Sequence, residues 1–115
     1  LKKSDGFLDF SDSAQNIHNK ARGLWPWPGA SVCFVNAKTN NSCPVTIAKT
    51  QIVSAVGKND RPCTIDAELN VLCGIGSLKI LELKPRGGKI MDFKSFLNGR
   101  GSDAGDYFVS LEDKD

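Results

Sequence analysis

The chain has a single histidine, and that scarcity narrows what it can do. Histidine is the commonest general acid–base side chain, and His18 has no second imidazole to work with. No cysteine lies near it in sequence to complete a thiol–imidazole dyad. The four cysteines, Cys33, Cys43, Cys63 and Cys73, are separated by 10, 20 and 10 residues. Structural zinc sites usually draw ligands in pairs roughly two to four residues apart, and that spacing is missing. Acidic residues are scattered: Asp66/Glu68 and Asp103/Asp106 are close pairs, both in turn-like contexts where capping roles are usual. Gly74-Ile75-Gly76 lacks the third glycine and following helix of a dinucleotide loop, and reads as a hairpin turn. No catalytic residue, cofactor site or metal site is therefore assigned to this chain.

Long hydrophobic runs are also missing. No stretch of about 18 apolar residues is available to span a bilayer. The opening LKKSDGFLDF has neither a long apolar segment nor a small-residue cleavage site, which argues against a secretory leader. Nothing signals an oxidising compartment, so four free thiols in a cytoplasmic, monomeric protein are expected, with no membrane partner. Cys33 and Cys73 sit in apolar runs and should behave as small buried hydrophobes. The start at Leu1 reads as a fragment of a longer protein.

What is present fits one ordinary globular domain: 115 residues, 40% hydrophobic and 24% charged. Charge is uneven. Residues 1–100 carry 14 Lys/Arg against 8 Asp/Glu, while residues 101–115 carry one against five. A basic body with an acidic tail suits contact with a polyanion on one face, although a solvated surface is the plainer reading.

Asp9–Ala30 is the stretch around which the chain is organised. Ser11 is the expected N-cap, followed by Asp12 and Ser13 in the first turn. Ala14, Ile17, Ala21 and Leu24 then recur at helical spacing. Gly23, Pro26 and Pro28 stop the helix. From Ala30 the period becomes two. Strands are expected at Ser31–Asn36, Val45–Val56, Cys63–Ile65, Asn70–Cys73 and Leu78–Leu83, with a last edge strand at Asp106–Val109. The inward set slips from Val45 and Ile47 to Ile52 and Val56, and again between Leu78/Ile80 and Leu81/Leu83, as β-bulges would produce. Asp92 should cap a short helix, Phe93–Leu97, closed by Asn98-Gly99. The fold class is mainly β: a small five- to six-stranded Greek-key barrel of oligonucleotide-binding type, or a generic open barrel, with an N-terminal helix and a short C-terminal one.

His18, at the edge of the apolar stripe, reads as a packed core histidine. Trp25-Pro26-Trp27-Pro28 reads first as scaffold. Two alternating tryptophans cannot easily both face inward, so one exposed indole is available to stack on a base. Lys20 and Arg22 leave the helix beside this clamp, and Lys84, Arg86 and Lys89 crowd one turn. Such clusters suit phosphate contacts, which position without reading sequence. The candidate RNA-contacting set is Lys20, Arg22, Trp25, Lys79, Lys84, Arg86 and Lys89.

The run SAQNIHNKARGLWPWPGA resembles the start of the C-terminal domain of methionyl-tRNA formyltransferases, where the helix ends in an arginine-glycine-leucine step followed by Asn-Pro-Trp-Pro-Gly-Ala. LKILELKP (Leu78–Pro85), FKSFLNGR (Phe93–Arg100) and Gly105-Asp106-Tyr107-Phe108 resemble its later blocks in order. The resemblance covers roughly residues 8–109, leaving residues 1–7 as the end of a linker and 110–115 as an acidic tail. It implies an oligonucleotide-binding-type barrel that helps hold initiator Met-tRNA through its backbone. The formyl transfer from 10-formyltetrahydrofolate would belong to an N-terminal catalytic domain of the same chain, whose Asn, His and Asp have no counterpart here. Arg22, Pro26, Trp27, Pro28 and Gly29 carry over as the clamp, whereas Trp25 stands where the family usually has Asn. Related modules occur in amino-sugar formyltransferases and folate-dependent hydrolases, so the parent activity stays open between them.

Overall fold

A computed structural model describes residues 2–112. Leu1, the start of the expected linker, and Asp113–Asp115, in the expected acidic tail, lie outside the described residues. Two helices and six strands follow a short 3-10 turn at Lys3–Gly6. Helix α1 spans Ala14–Leu24, and strands β1 and β2 span Ala30–Val35 and Ser42–Lys58. Then come β3 (Val71–Leu72), β4 (Ile75–Pro85), β5 (Met91–Asp92), α2 (Phe93–Gly99) and β6 (Tyr107–Val109). The strands form one curled, half-barrel sheet in the order β3-β4-β2-β1-β6, with β5 paired to β4.

Helix α1 is held by the capping chemistry the sequence carries, two residues later than expected. Ser13, not Ser11, is the N-cap: its Oγ accepts the Asn16 N–H at 3.1 Å. Ser11 is diverted because its own N–H and Oγ both donate to Asp9 Oδ1, at 2.9 and 2.6 Å. Most of the apolar stripe is borne out: Ala14, Ile17 and Ala21 are buried against the sheet, while Leu24 at the helix end is only half-buried.

The phase slips are borne out as bulges. The β2–β4 register shifts between Ile47 and Lys49 and between Lys49 and Thr50, so Ile47 faces Leu83 while Thr50 faces Ile80. Leu78, Ile80 and Leu83 all remain in the core despite the odd spacing. Further shifts beyond Ile52 turn the end of β2 out of the barrel. Val56, expected inward, is consequently exposed (76%).

Cys63–Ile65 is not a strand of its own. Cys63 follows a proline and sits at φ +74°, so the ladder cannot extend. The segment instead joins the sheet edges through single bridges, Thr64 to Tyr107 of β6 and Ile65 to Val71 of β3. Backbone bonds from Ile65 N–H to Asp106 O and from Phe108 N–H to Cys63 O, at 2.8 and 2.9 Å, complete that seam.

The core is aromatic where α2 covers the sheet. Phe34 lies edge-on to Phe96 at 5.2 Å and to Phe108 at 5.6 Å, and Phe10 joins Phe108 at 5.0 Å. Each such pair adds about 0.5–1.5 kcal/mol beyond the area it buries. Asp92 caps α2 as expected, its Oδ2 accepting the Ser95 N–H at 3.1 Å. Hydrogen bonds from the Ser95 hydroxyl and N–H hold the Asp92 carboxyl below the usual carboxylate range. All four cysteines are free thiols. Cys73 is fully buried as expected, and burial, with Cys63 and Asp12 nearby, pushes its thiol up to about 12. Cys33 is only half-buried, because it alternates with Val32 and Phe34 and so faces outward.

Candidate nucleic-acid interface

The outer face of the sheet carries one row in strict register. Phe7 bridges Ser31 of β1, Ser31 pairs with Thr46 of β2, and Thr46 pairs with Lys84 of β4. Alternation puts Val32, Val45 and Pro85 on the core side, which leaves Ser31, Thr46 and Lys84 pointing the other way. The hydroxyls of Ser31 and Thr46 lie 3.2 Å apart. They form the floor of a hollow of about 230 Å³ whose cationic wall is Lys3, Lys84 and Arg86. Arg86 is placed by its backbone: its N–H donates to Pro44 O at 3.0 Å, and Gly88 N–H donates to Pro85 O at 2.9 Å. Gly87 at φ +75° supplies the left-handed position that such a turn needs.

Lys20 reaches the same region from α1. Its Nζ donates to Phe7 O at 2.9 Å, and two further N–H donors remain on the ammonium. Hydroxyl donors with ammonium and guanidinium groups around a small hollow make a site for an anionic oxygen cluster such as a phosphate.

Two of the seven expected residues, Lys84 and Arg86, are therefore brought together at the hollow, and Lys20 is bonded to Phe7 at its edge. The others are not. Arg22 follows Lys20 by two residues, about 200° around the helix axis, so the two do not stand side by side. Arg22 falls one turn beyond His18, whose Nδ1 meets Thr50 Oγ1 of β2 at 2.7 Å. There it complements the helix C-terminus. Lys79 lines a separate groove with Glu68, Asp92 and Lys94, over Leu81 and Phe93, where the charges are mixed. Lys89 is exposed on the connection to β5. His18 is the half-buried, hydrogen-bonded residue expected of a packed position.

The clamp borders the hollow. Gly29 N–H donates to Leu24 O at 2.9 Å, closing the turn over both prolines. Both Trp-Pro bonds are cis. Gly29 packs so closely on Gly6 that a Cβ on Gly6 would overlap the Gly29 carbonyl, and a Cβ on Gly29 would lie 2.8 Å from Thr46 Cγ2. Trp25 is half-buried, whereas Trp27 is 63% exposed. One indole more exposed than the other is the expected division, but the exposed one is Trp27 and not the candidate Trp25.

Lys3, Ser31 and Thr46 escaped sequence reasoning. Lys3 sat in a polar lead-in with no periodic pattern. The two hydroxyls became visible only through cross-strand register. Their one sequence signal was a polar residue flanked by apolar neighbours in a strand.

A curled β sheet with two helices and a cationic hollow on its outer face defines the class: a small, mainly β domain. The chain belongs to the family described as formyl transferase, C-terminal domain, whose model matches residues 1–101. It is 39% identical over 102 residues to the methionyl-tRNA formyltransferase of Solibacter usitatus, covering 87% of this chain and 30% of that protein. It is also similar to the methionyl-tRNA formyltransferase of Trichlorobacter lovleyi, at 40% over 103 residues (86% and 30% covered). The corresponding protein of Allorhizobium ampelinum matches at 31% over 114 residues (97% and 35%). The chain thus spans about a third of the length of these relatives.

Proposed function

We propose that this chain is the tRNA-holding domain of a methionyl-tRNA formyltransferase. Its sheet, closed through Cys63–Ile65, serves as an oligonucleotide-binding-type barrel. The domain grips the sugar–phosphate backbone of initiator Met-tRNA in the cytoplasm, during preparation for translation initiation. Formylation with 10-formyltetrahydrofolate belongs to a separate N-terminal catalytic domain, and no step of it is assigned to residues of this chain. The domain acts as a monomer within that protein. The observation that carries the reading is the convergence of Lys3, Lys84 and Arg86 on one hydroxyl-floored hollow, with Lys20 bonded to Phe7 at its edge. The names of the relatives, methionyl-tRNA formyltransferases, support tRNA as that anion.

Lysine and arginine contacts to phosphates release counterions, so binding should weaken steeply with salt. The test is a titration of initiator tRNA against this chain at about 50 and 200 mM salt. Four phosphate contacts predict a slope of roughly −3 to −4 in log K against log salt. Absence of binding at the lower salt, or binding indifferent to salt, overturns the reading.

A second reading has one observation of its own. Val53, Val56 and Ile75 are exposed together where the end of β2 pairs with the start of β4. Such an apolar strip suits a module that packs on a catalytic domain of an amino-sugar formyltransferase or folate-dependent hydrolase and binds no nucleic acid. The same titration separates the two.

A further inference from the structure

We propose that Trp27 is a stacking platform for an unpaired RNA base next to the phosphate held by Lys3, Lys84 and Arg86. The proposal rests on the RNA-binding reading and adds the kind of RNA recognised. Tryptophan is among the largest apolar side chains, yet Trp27 stands 63% exposed while five phenylalanines pack ring against ring in the core. Its mount is stiff. Pro26 and Pro28 fix their φ angles, the Gly29 N–H ties back to Leu24 O, and Gly29 is wedged between Gly6 and Thr46. An indole held out on such a mount loses little conformational freedom when it stacks.

Its position gives the ligand. Thr46, in contact with Gly29, is also floor of the cationic hollow. Trp27 is two residues before Gly29, so their Cα atoms are at most about 7.6 Å apart. A phosphate in the hollow and a base on the indole are therefore neighbouring parts of one strand. A base inside a duplex hides its π faces against its neighbours, so the indole selects unpaired nucleotides. Stacking tolerates any base, which matches a site with no base-edge readout.

The probes are an RNA hairpin with a four-nucleotide unpaired 3′ overhang and the same hairpin with a blunt end. Because the chain has only two tryptophans, Trp25→Phe leaves Trp27 as the sole indole fluorophore. Its emission should be quenched by the overhang hairpin and much less by the blunt one. Trp27→Ala should bind the overhang hairpin roughly tenfold more weakly and the blunt hairpin unchanged, with the salt slope kept. Trp27→Phe should recover part of the loss, which separates stacking from a folding defect. Equal binding of both hairpins by Trp27→Ala and wild type, while wild type keeps its salt dependence, overturns stacking and spares the RNA reading. Binding of neither hairpin by wild type at low salt overturns both.

Discussion

The clamp edge and the C-terminal seam are built from opposite materials. At the clamp edge, around Phe7, Trp27, Thr46 and Lys84, large and charged side chains stand in water, and the backbone supplies the order. At the seam, around Phe34, Phe96, Asp106 and Phe108, the side chains themselves are buried and satisfied. Asp106 is 3% exposed and accepts the Ala37 and Asp103 N–H groups at 2.7 and 3.0 Å, along with the Ser102 hydroxyl. It ties the β1–β2 turn to the last strand. Both regions carry blocks that resemble the family's, yet one holds the fold and the other, on the proposed reading, meets a partner. A motif's specificity for a family therefore says little about which of these roles it serves.

The sharpest contrast is in stability. Phe108→Ala removes a ring that touches Phe10, Phe34 and Phe93, and should cost about 3–5 kcal/mol in urea unfolding. A loss below about 1 kcal/mol would show that the seam is not where the core is concentrated.

Next comes Asp106. Burial raises its carboxyl, but the bonds from Ser102, Ala37 and Asp103 outweigh burial and hold it below the ordinary aspartate value. A carboxyl lowered in the fold contributes stability that is complete above the unfolded pKa, from about pH 5 upward, and is lost as pH falls below about 4. Asp106→Ala should cost about 2–3 kcal/mol at neutral pH by orphaning two N–H groups. Asp106→Asn should flatten the acid limb of the stability profile. An unchanged acid limb in that variant would assign the acid sensitivity to another carboxylate.

At the other edge the expected effects fall on binding. The double change Lys84→Glu, Arg86→Glu should leave the urea midpoint nearly unmoved and weaken tRNA binding at least tenfold near 50 mM salt. It should also reduce the salt slope by about 2. If Lys79→Glu were equally damaging, the mixed-charge groove beside α2 would share the interface and the two-region contrast would blur. The smallest effect is expected from Trp27→Ala on stability. Removal of an exposed indole should shift unfolding by no more than about 0.5 kcal/mol, read in the same urea series as Phe108→Ala.

The sequence carried the signals that depend on near neighbours. Helical spacing of Ala14, Ile17 and Ala21 marked a buried stripe, Asp92 marked a cap, and broken alternation in β2 and β4 marked bulges, because each effect acts within a few residues. Even there, local competition shifted the detail: Asp9 captured Ser11 and moved the first cap to Ser13. Ordered blocks separated by long intervals sufficed to place the chain in its family. The rest depended on which strands pair and by how much they slip. Residues Phe7, Ser31, Thr46 and Lys84, spread over 78 positions of chain, became one row only when register was fixed. Lys20 and Arg22, two apart in sequence, were sent to different flanks by the helical repeat. That Trp27 rather than Trp25 faces water became visible only in the folded clamp. Periodicity is a local property and can be read along the chain. A site assembled across strands exists only once the sheet has curled and its register is set.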